Sequence, residues 1–280
     1  MPEVSDHRGD VTIPGARENP VPVFWRSAPV PAGSDTTPLY LHGVPTSSDD
    51  WMGFLERTGG VAPDLPGFGR SGKPGYLTYT MEEYDRFLES FMDELGLERV
   101  SLVLHDWGAV GLLTAQRLPE RVERLVIINA VPLLPGYRWH RTARIWRTPG
   151  LGELAMGTTV RPTLRLLTRE ANVAPGPLPE EWIESTIAHF DQGTQRAILR
   201  LYRSSPPEAL AAAGSRLGEL RVPALVAWGT RDPYIPARFA RDYATALPEA
   251  ELVEYDDAGH WPWLDRPDMV DRVAAFLSEG

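Results

Sequence analysis

An aspartate stands at a strand-to-helix turn in the run Val100-Ser101-Leu102-Val103-Leu104-His105-Asp106-Trp107-Gly108-Ala109. The residues before it read as a buried strand, and those after Gly108 as a helix. A tight turn of this kind lifts its central side chain above the sheet and points the first helical N–H groups at whatever binds there. Taken alone, Asp106 would serve equally well as a helix N-cap. Two later positions change that reading. Asp232 closes Trp228-Gly229-Thr230-Arg231-Asp232, just past one apolar run, and His260 closes Asp257-Ala258-Gly259-His260, past the last one. Two carboxyls and an imidazole at strand ends make a set for nucleophilic attack and proton transfer. A fourth feature, Leu39-Tyr40-Leu41-His42-Gly43-Val44-Pro45, is a strand running into a glycine loop.

The elements that must carry these residues are legible as a rhythm. Apolar runs at Leu39–Leu41, Gly60–Ala62, Val100–Leu104, Leu125–Ile128, Ala224–Trp228 and Glu251–Tyr255 alternate with amphipathic stretches at Asp50–Thr58, Met81–Leu95, Ala109–Arg117, Ala237–Leu247 and Pro267–Leu277. This predicts an α/β fold, a mostly parallel sheet with crossover helices. Two opening strands are expected near Val11–Ile13 and Val21–Trp25, then a loop at Pro29–Pro38. After Ala130 the alternation stops, and helical periodicity runs to about Leu217. The predicted organisation is a main domain of residues 1–130 and 218–280 with a helical cap at 131–217, turning at Pro175–Pro177. The cap carries more arginines than acids, which is read as solvated helix faces.

Composition narrows the partners. The net charge of −10 has the wrong sign for nucleic acid or an anionic membrane. With no cysteine there is no disulfide frame and no thiolate nucleophile or metal ligand. The histidines lack metal-ligand company, so neither a metal nor an organic cofactor is expected. His42 is expected to brace the glycine loop and His105 to point away from Asp106. His7, His140 and His189 read as surface or packing residues. The first ten residues resemble no signal peptide and no run is long enough to span a bilayer, so a soluble, cytoplasmic protein is expected.

The motifs His42-Gly43-Val44-Pro45, Asp64-Leu65-Pro66-Gly67-Phe68-Gly69-Arg70-Ser71, His105-Asp106-Trp107-Gly108, Gly229-Thr230-Arg231-Asp232 and Gly259-His260 resemble the haloalkane dehalogenase and epoxide hydrolase branch of the α/β-hydrolase superfamily. The resemblance covers roughly Pro38–Ala130 and Arg221–Leu277. It implies an α/β-hydrolase fold, with the order nucleophile, acid, histidine filled by Asp106, Asp232 and His260. Val44 and Trp107 match the positions whose backbone N–H groups form the oxyanion hole. An aspartate in place of the usual serine narrows the chemistry. A carboxylate attacking an ester would only make an anhydride. On a saturated carbon it can displace a leaving group and form an alkyl-enzyme ester, which a histidine-activated water then cleaves.

What leaves decides the substrate, expected to be a small apolar electrophile. An epoxide oxygen needs a proton donor, and Leu201-Tyr202-Arg203 resembles the cap segment carrying one epoxide-binding tyrosine. A halide needs a nest of weak donors, for which Trp107 is one. Val44 stands where many dehalogenases place a halide-binding asparagine. The second cap tyrosine of epoxide hydrolases has no counterpart at 145–155, leaving Tyr137, Trp139, His140 and Trp146 as candidate donors; Trp182 is a further candidate for halide. Epoxide hydrolysis is the favoured expectation, haloalkane dehalogenation the alternative, and a non-catalytic binding relative the second alternative.

Overall fold

In a computed structural model describing residues 3–16, 19–31, 36–173 and 178–279, eight strands form one sheet. They are β1 (Ser5–Val11), β2 (Val21–Ala28), β3 (Thr37–Leu41), β4 (Gly60–Pro63), β5 (Val100–Asp106), β6 (Val122–Ala130), β7 (Ala224–Gly229) and β8 (Ala250–Tyr255), ordered β1-β2-β4-β3-β5-β6-β7-β8. The first two pairings, β1 with β2 and β2 with β4, are antiparallel and the rest parallel. The first strand lies earlier than Val11–Ile13. Its charged Ser5–Asp10 stretch forms an edge strand through backbone pairing with β2, which hydropathy does not report. Of the predicted loop Pro29–Pro38, residues 32–35 lie outside the described residues, as does the turn at Pro175–Pro177.

Period-two alternation sorts the central strands onto two faces. Leu39, Leu41, Leu102, Leu104, Leu125, Ile127 and Val226 face one core. It is covered by α2 (Met81–Glu94), α3 (Gly111–Arg117) and α10 (Arg238–Ala246). Tyr40, Val103, Val126, Ile128, Leu225 and Ala227 face the other, under α1 (Met52–Thr58), α11 (Pro262–Asp265) and α12 (Asp268–Ser278). Burial on both faces explains why these strands read as continuous apolar runs. Between β6 and β7 the described residues form six α-helices: α4 (Arg141–Arg147), α5 (Leu151–Gly157), α6 (Arg161–Leu167), α7 (Glu180–Ala188), α8 (Gln192–Ser204) and α9 (Pro207–Ala213). No helix of the described residues is long and apolar enough to cross a membrane.

The strand order positions the site. Strand β3 is followed by β4 on one side of it and neighbours β5 on the other, so their C-terminal loops diverge and leave a crevice at the sheet's carboxyl edge. The glycine loop leaves β3 there and Asp106 ends β5. Beyond β6, the loops after β7 and β8 deliver Asp232 and His260 to the same edge.

Candidate active site

Asp106 sits at the elbow with φ 48° and ψ −117°, a left-handed conformation rare outside glycine. Such strain survives only where the surroundings impose it. Here the packing does: a Cβ on Gly108 would stand 2.1 Å from the Leu41 carbonyl oxygen, and one on Gly43 would stand 2.5 Å from the Asp106 Cβ. Both glycines let the turn and the loop after β3 close on each other. The result is a hydrogen bond from the Val44 N–H to Asp106 Oδ1 at 2.9 Å. The Trp107 N–H also donates to the Asp106 carboxyl. These are the two backbone donors expected from the sequence.

His260 lies between the two acids. Its Nδ1 is 2.7 Å from Asp232 Oδ2, and its Nε2 is 3.7 Å from Asp106 Oδ2. Asp232 is fully engaged on its other contacts. Its Oδ1 accepts from the N–H groups of Tyr234 and Ile235, and its Oδ2 also accepts from the Asn129 side chain at 2.8 Å. The base loop is pinned from below by His105 Nε2, 2.8 Å from the His260 carbonyl, so His105 points away from Asp106 as strand alternation requires. From above, the His260 N–H donates to the Ala171 carbonyl at 2.7 Å, a contact with the inserted segment. His42 accepts the Leu65 N–H on Nε2, which leaves its Nδ1–H to donate to the Gly43 carbonyl and brace the loop.

Electrostatics follow from burial and proximity. Burial pushes the Asp106 carboxyl up, against the pull of His260 and the two backbone N–H groups. Burial disfavours a charged His260, but Asp232 and Asp106 outweigh it and the imidazole is raised. The arrangement therefore sets a buried Asp106 carboxyl, its Oδ1 anchored by the Val44 N–H, beside an imidazole whose protonated form has a counterion in Asp232.

A cavity opens above these groups, lined by Asp106, His260 and Val44 together with Trp146, Tyr202 and Tyr234. Of the leaving-group candidates, Tyr202, His140, Trp146 and Trp182 line it. Trp107 stands behind Tyr202, edge to face at 5.2 Å, with its indole nitrogen buried and without a well-formed hydrogen bond. Tyr137 and Trp139 do not line the cavity, which corrects their expected role. The Trp139 N–H donates to the Ser205 carbonyl at 3.0 Å, and the Tyr137 hydroxyl faces the Tyr234 carbonyl at 3.5 Å. Both rings stack behind the wall, a packing role their types allow and a linear sequence cannot exclude.

One wall residue escaped sequence reading. Tyr234 follows Asp232 by two positions, and its ring meets His260 at 5.0 Å. His140, read both as a surface or packing residue and as a candidate donor, lines the cavity and caps α4, its Nδ1 accepting from the Ala143 N–H. That bond leaves the proton on Nε2. Burial drives the imidazole down to about 4, so it is a neutral N–H donor at pH 7. Its place directly before an amphipathic stretch was the available signal, since a cap lies where a helix meets a pocket.

The chain matches the alpha/beta hydrolase family over residues 39–273. It is 30% identical to a haloalkane dehalogenase of Mesorhizobium japonicum, with 88% of this chain and 85% of that one covered. It is 31% identical to a cis-3-alkyl-4-alkyloxetan-2-one decarboxylase of Xanthomonas campestris pv. campestris, over 85% and 87% of the two chains. The solved haloalkane dehalogenase DbeA of Bradyrhizobium elkani superposes with a TM-score of 0.82 at 27% identity, covering 99% and 98%. The protein belongs to the alpha/beta hydrolase family, in its haloalkane dehalogenase and epoxide hydrolase branch.

Proposed function

We propose that the protein hydrolyses small apolar epoxides to diols through an ester on Asp106. The observation that carries this reading is the pair of neutral donors, Tyr202 and His140, in the wall of the cavity that holds Asp106. Burial keeps Tyr202 a phenol, well above its usual range. Asp106 Oδ2 attacks a ring carbon, the carbon–oxygen bond breaks, and the departing oxygen takes a proton from Tyr202, with His140 as second donor. His260 then removes a proton from water, and the hydroxide attacks the Asp106 carbonyl carbon. The oxyanion rests on the Val44 and Trp107 N–H groups. Collapse expels the diol as its alkoxide, which His260 protonates, and leaves Asp106 as its acid; that proton passes to the Tyr202 phenolate left by the first step, which restores the carboxylate and the phenol. In this reading the inserted helices act as a cap that closes the cavity from water, and neither a metal nor an organic cofactor takes part.

The second reading, release of halide from a haloalkane, is favoured by the names of the relatives and by the buried Trp107 indole N–H, whose contact with the Tyr202 hydroxyl is loose. Against it, Val44 offers no side-chain donor.

Tyr202→Phe separates the two. It keeps the ring against Trp107 and Trp146 and removes the proton. Single-turnover ester formation from an epoxide should slow by ~10²–10⁴-fold, and ester hydrolysis should stay within about threefold. Bromide release from a bromoalkane should change little. An unchanged epoxide rate makes Tyr202 a packing residue. Bromide release by the wild type with no diol from any epoxide moves the assignment to the dehalogenase reading.

A further inference from the structure

Behind the cavity wall lies a buried acid that the mechanism above does not use. Asp50 sits in the 3-10 turn Ser48–Trp51, just after the glycine loop, and is 8% exposed. Its carboxyl meets the Thr46 hydroxyl and the indole N–H groups of Trp261 and Trp182. Both tryptophans line the cavity and pack edge to face at 4.8 Å; Trp261 also packs on His260 at 4.5 Å. The contacts are loose. Asp50 Oδ2 and both indole nitrogens are buried without a well-formed hydrogen bond. One side chain thus touches three elements that must agree for the site to work: the loop carrying Val44, helix α7 carrying Trp182, and the loop carrying His260.

We infer that Asp50 is a positioning residue, which holds the indole edges of Trp182 and Trp261 and so fixes the substrate-facing wall between α7 and the base loop. An apolar side chain of similar size would fill the same space without the penalty of a buried acid, so the carboxyl is retained for what it holds. Burial pushes Asp50 up to about 7, helped by the negative Asp49 beside it and opposed by its contacts with Thr46 and the two indole N–H groups. The other charged groups around it are His260 across Trp261 and, through Asp49, the guanidinium groups of Arg26 and Arg70. Thr46 has one proton to give, and in this structure it donates to the Gly43 carbonyl at 3.1 Å. A protonated Asp50 can donate to Thr46 and accept one indole weakly. An ionised Asp50 accepts both indole N–H groups as charge-assisted bonds, which are stronger. The wall is therefore held more firmly as pH rises through about 7.

The role in substrate binding rests on reading this cavity as the substrate pocket; the contact itself does not, and two arms test them separately. The first uses the free protein labelled with ¹⁵N-tryptophan, its indole signals assigned with Trp182→Phe and Trp261→Phe. Both signals should move with one midpoint near 7 in the wild type. In Asp50→Asn the Trp182 signal should be flat, while Trp261 keeps only what His260 gives it. A wild-type Trp182 signal that does not titrate, or that titrates unchanged in Asp50→Asn, overturns the proposal. The second arm measures kinetics at pH 8. Asp50→Leu should raise KM for a long-chain substrate about tenfold or more with kcat within about threefold, and Asp50→Asn should be intermediate. A KM unchanged in both variants overturns the role in substrate binding. If Asp50→Leu does not fold, Asp50→Asn carries this arm alone. A wild type that turns over neither an epoxide nor a bromoalkane defeats the reading of the pocket and leaves the first arm standing.

Discussion

Asp106→Ala should abolish turnover, with a loss of about 10⁵-fold or more, while the protein keeps its melting temperature within a few degrees. The loss is complete in kind because, in the proposed reaction, every later step uses the ester formed on Asp106. The fold should survive because the elbow relies on Gly43 and Gly108 for its closure and not on the carboxylate. Removing a strained, half-satisfied buried acid relieves part of its own cost: the carboxyl is raised by burial, so its ionised form opposes folding as pH rises above the ordinary aspartate range. The companion experiment is His260→Gln. Attack by Asp106 does not need the base, so this variant should accumulate alkylated protein, with the added mass on the peptide that contains Asp106. Rates like the wild type in freshly purified Asp106→Ala would remove Asp106 from the chemistry. A folded His260→Gln protein with no adduct, given a confirmed substrate, would place the base earlier in the reaction.

The second large effect is expected at Asp232. Asp232→Asn should lose about 10⁴-fold in the hydrolytic step, as happens when a triad acid is neutralised and the histidine settles in the wrong tautomer. The local geometry makes the substitution clean. The retained Oδ1 can still accept from the Tyr234 and Ile235 N–H groups and hold the loop. The new amide then faces His260 Nδ1 and the Asn129 amide, two groups that both need an acceptor there. Nδ1 must give up its proton, and Nε2, the atom that should take one from water, carries it instead. Asn129 cannot stand in, because an amide does not balance an imidazolium. Pre-steady-state kinetics should show ester formation near the wild-type rate and hydrolysis slowed. A total loss below tenfold would mean that another acid serves His260.

How much of this was written in the linear sequence depends on whether a residue acts through its backbone position or through what lies across from it. Asp106, Asp232 and His260 were legible because each stands at, or a few residues beyond, the C-terminal end of a strand. In a parallel sheet, strand ends gather at one edge whatever the helices between them do. Val44 and Trp107 were legible for the same reason, since their backbone donors depend on chain path and not on side-chain type. The charged edge strand Ser5–Val11 was not, because its partner supplies the pairing that its hydropathy does not announce.

The wall of the cavity was decided by tertiary structure alone. Trp139 and Trp146 are equally aromatic in the sequence, yet one donates to the Ser205 carbonyl behind the wall and the other lines the space. His140 became a neutral donor only when α4 took its Nδ1 and burial removed its charge. Asp50 looked like an ordinary acid near a helix start. Its meaning comes from Trp182 and Trp261, more than a hundred residues away, brought to it by packing of the inserted helices on the sheet. Period and spacing determine the elements and the residues at their ends; the direction of an aromatic edge and the charge of a buried acid exist only once the layers have closed.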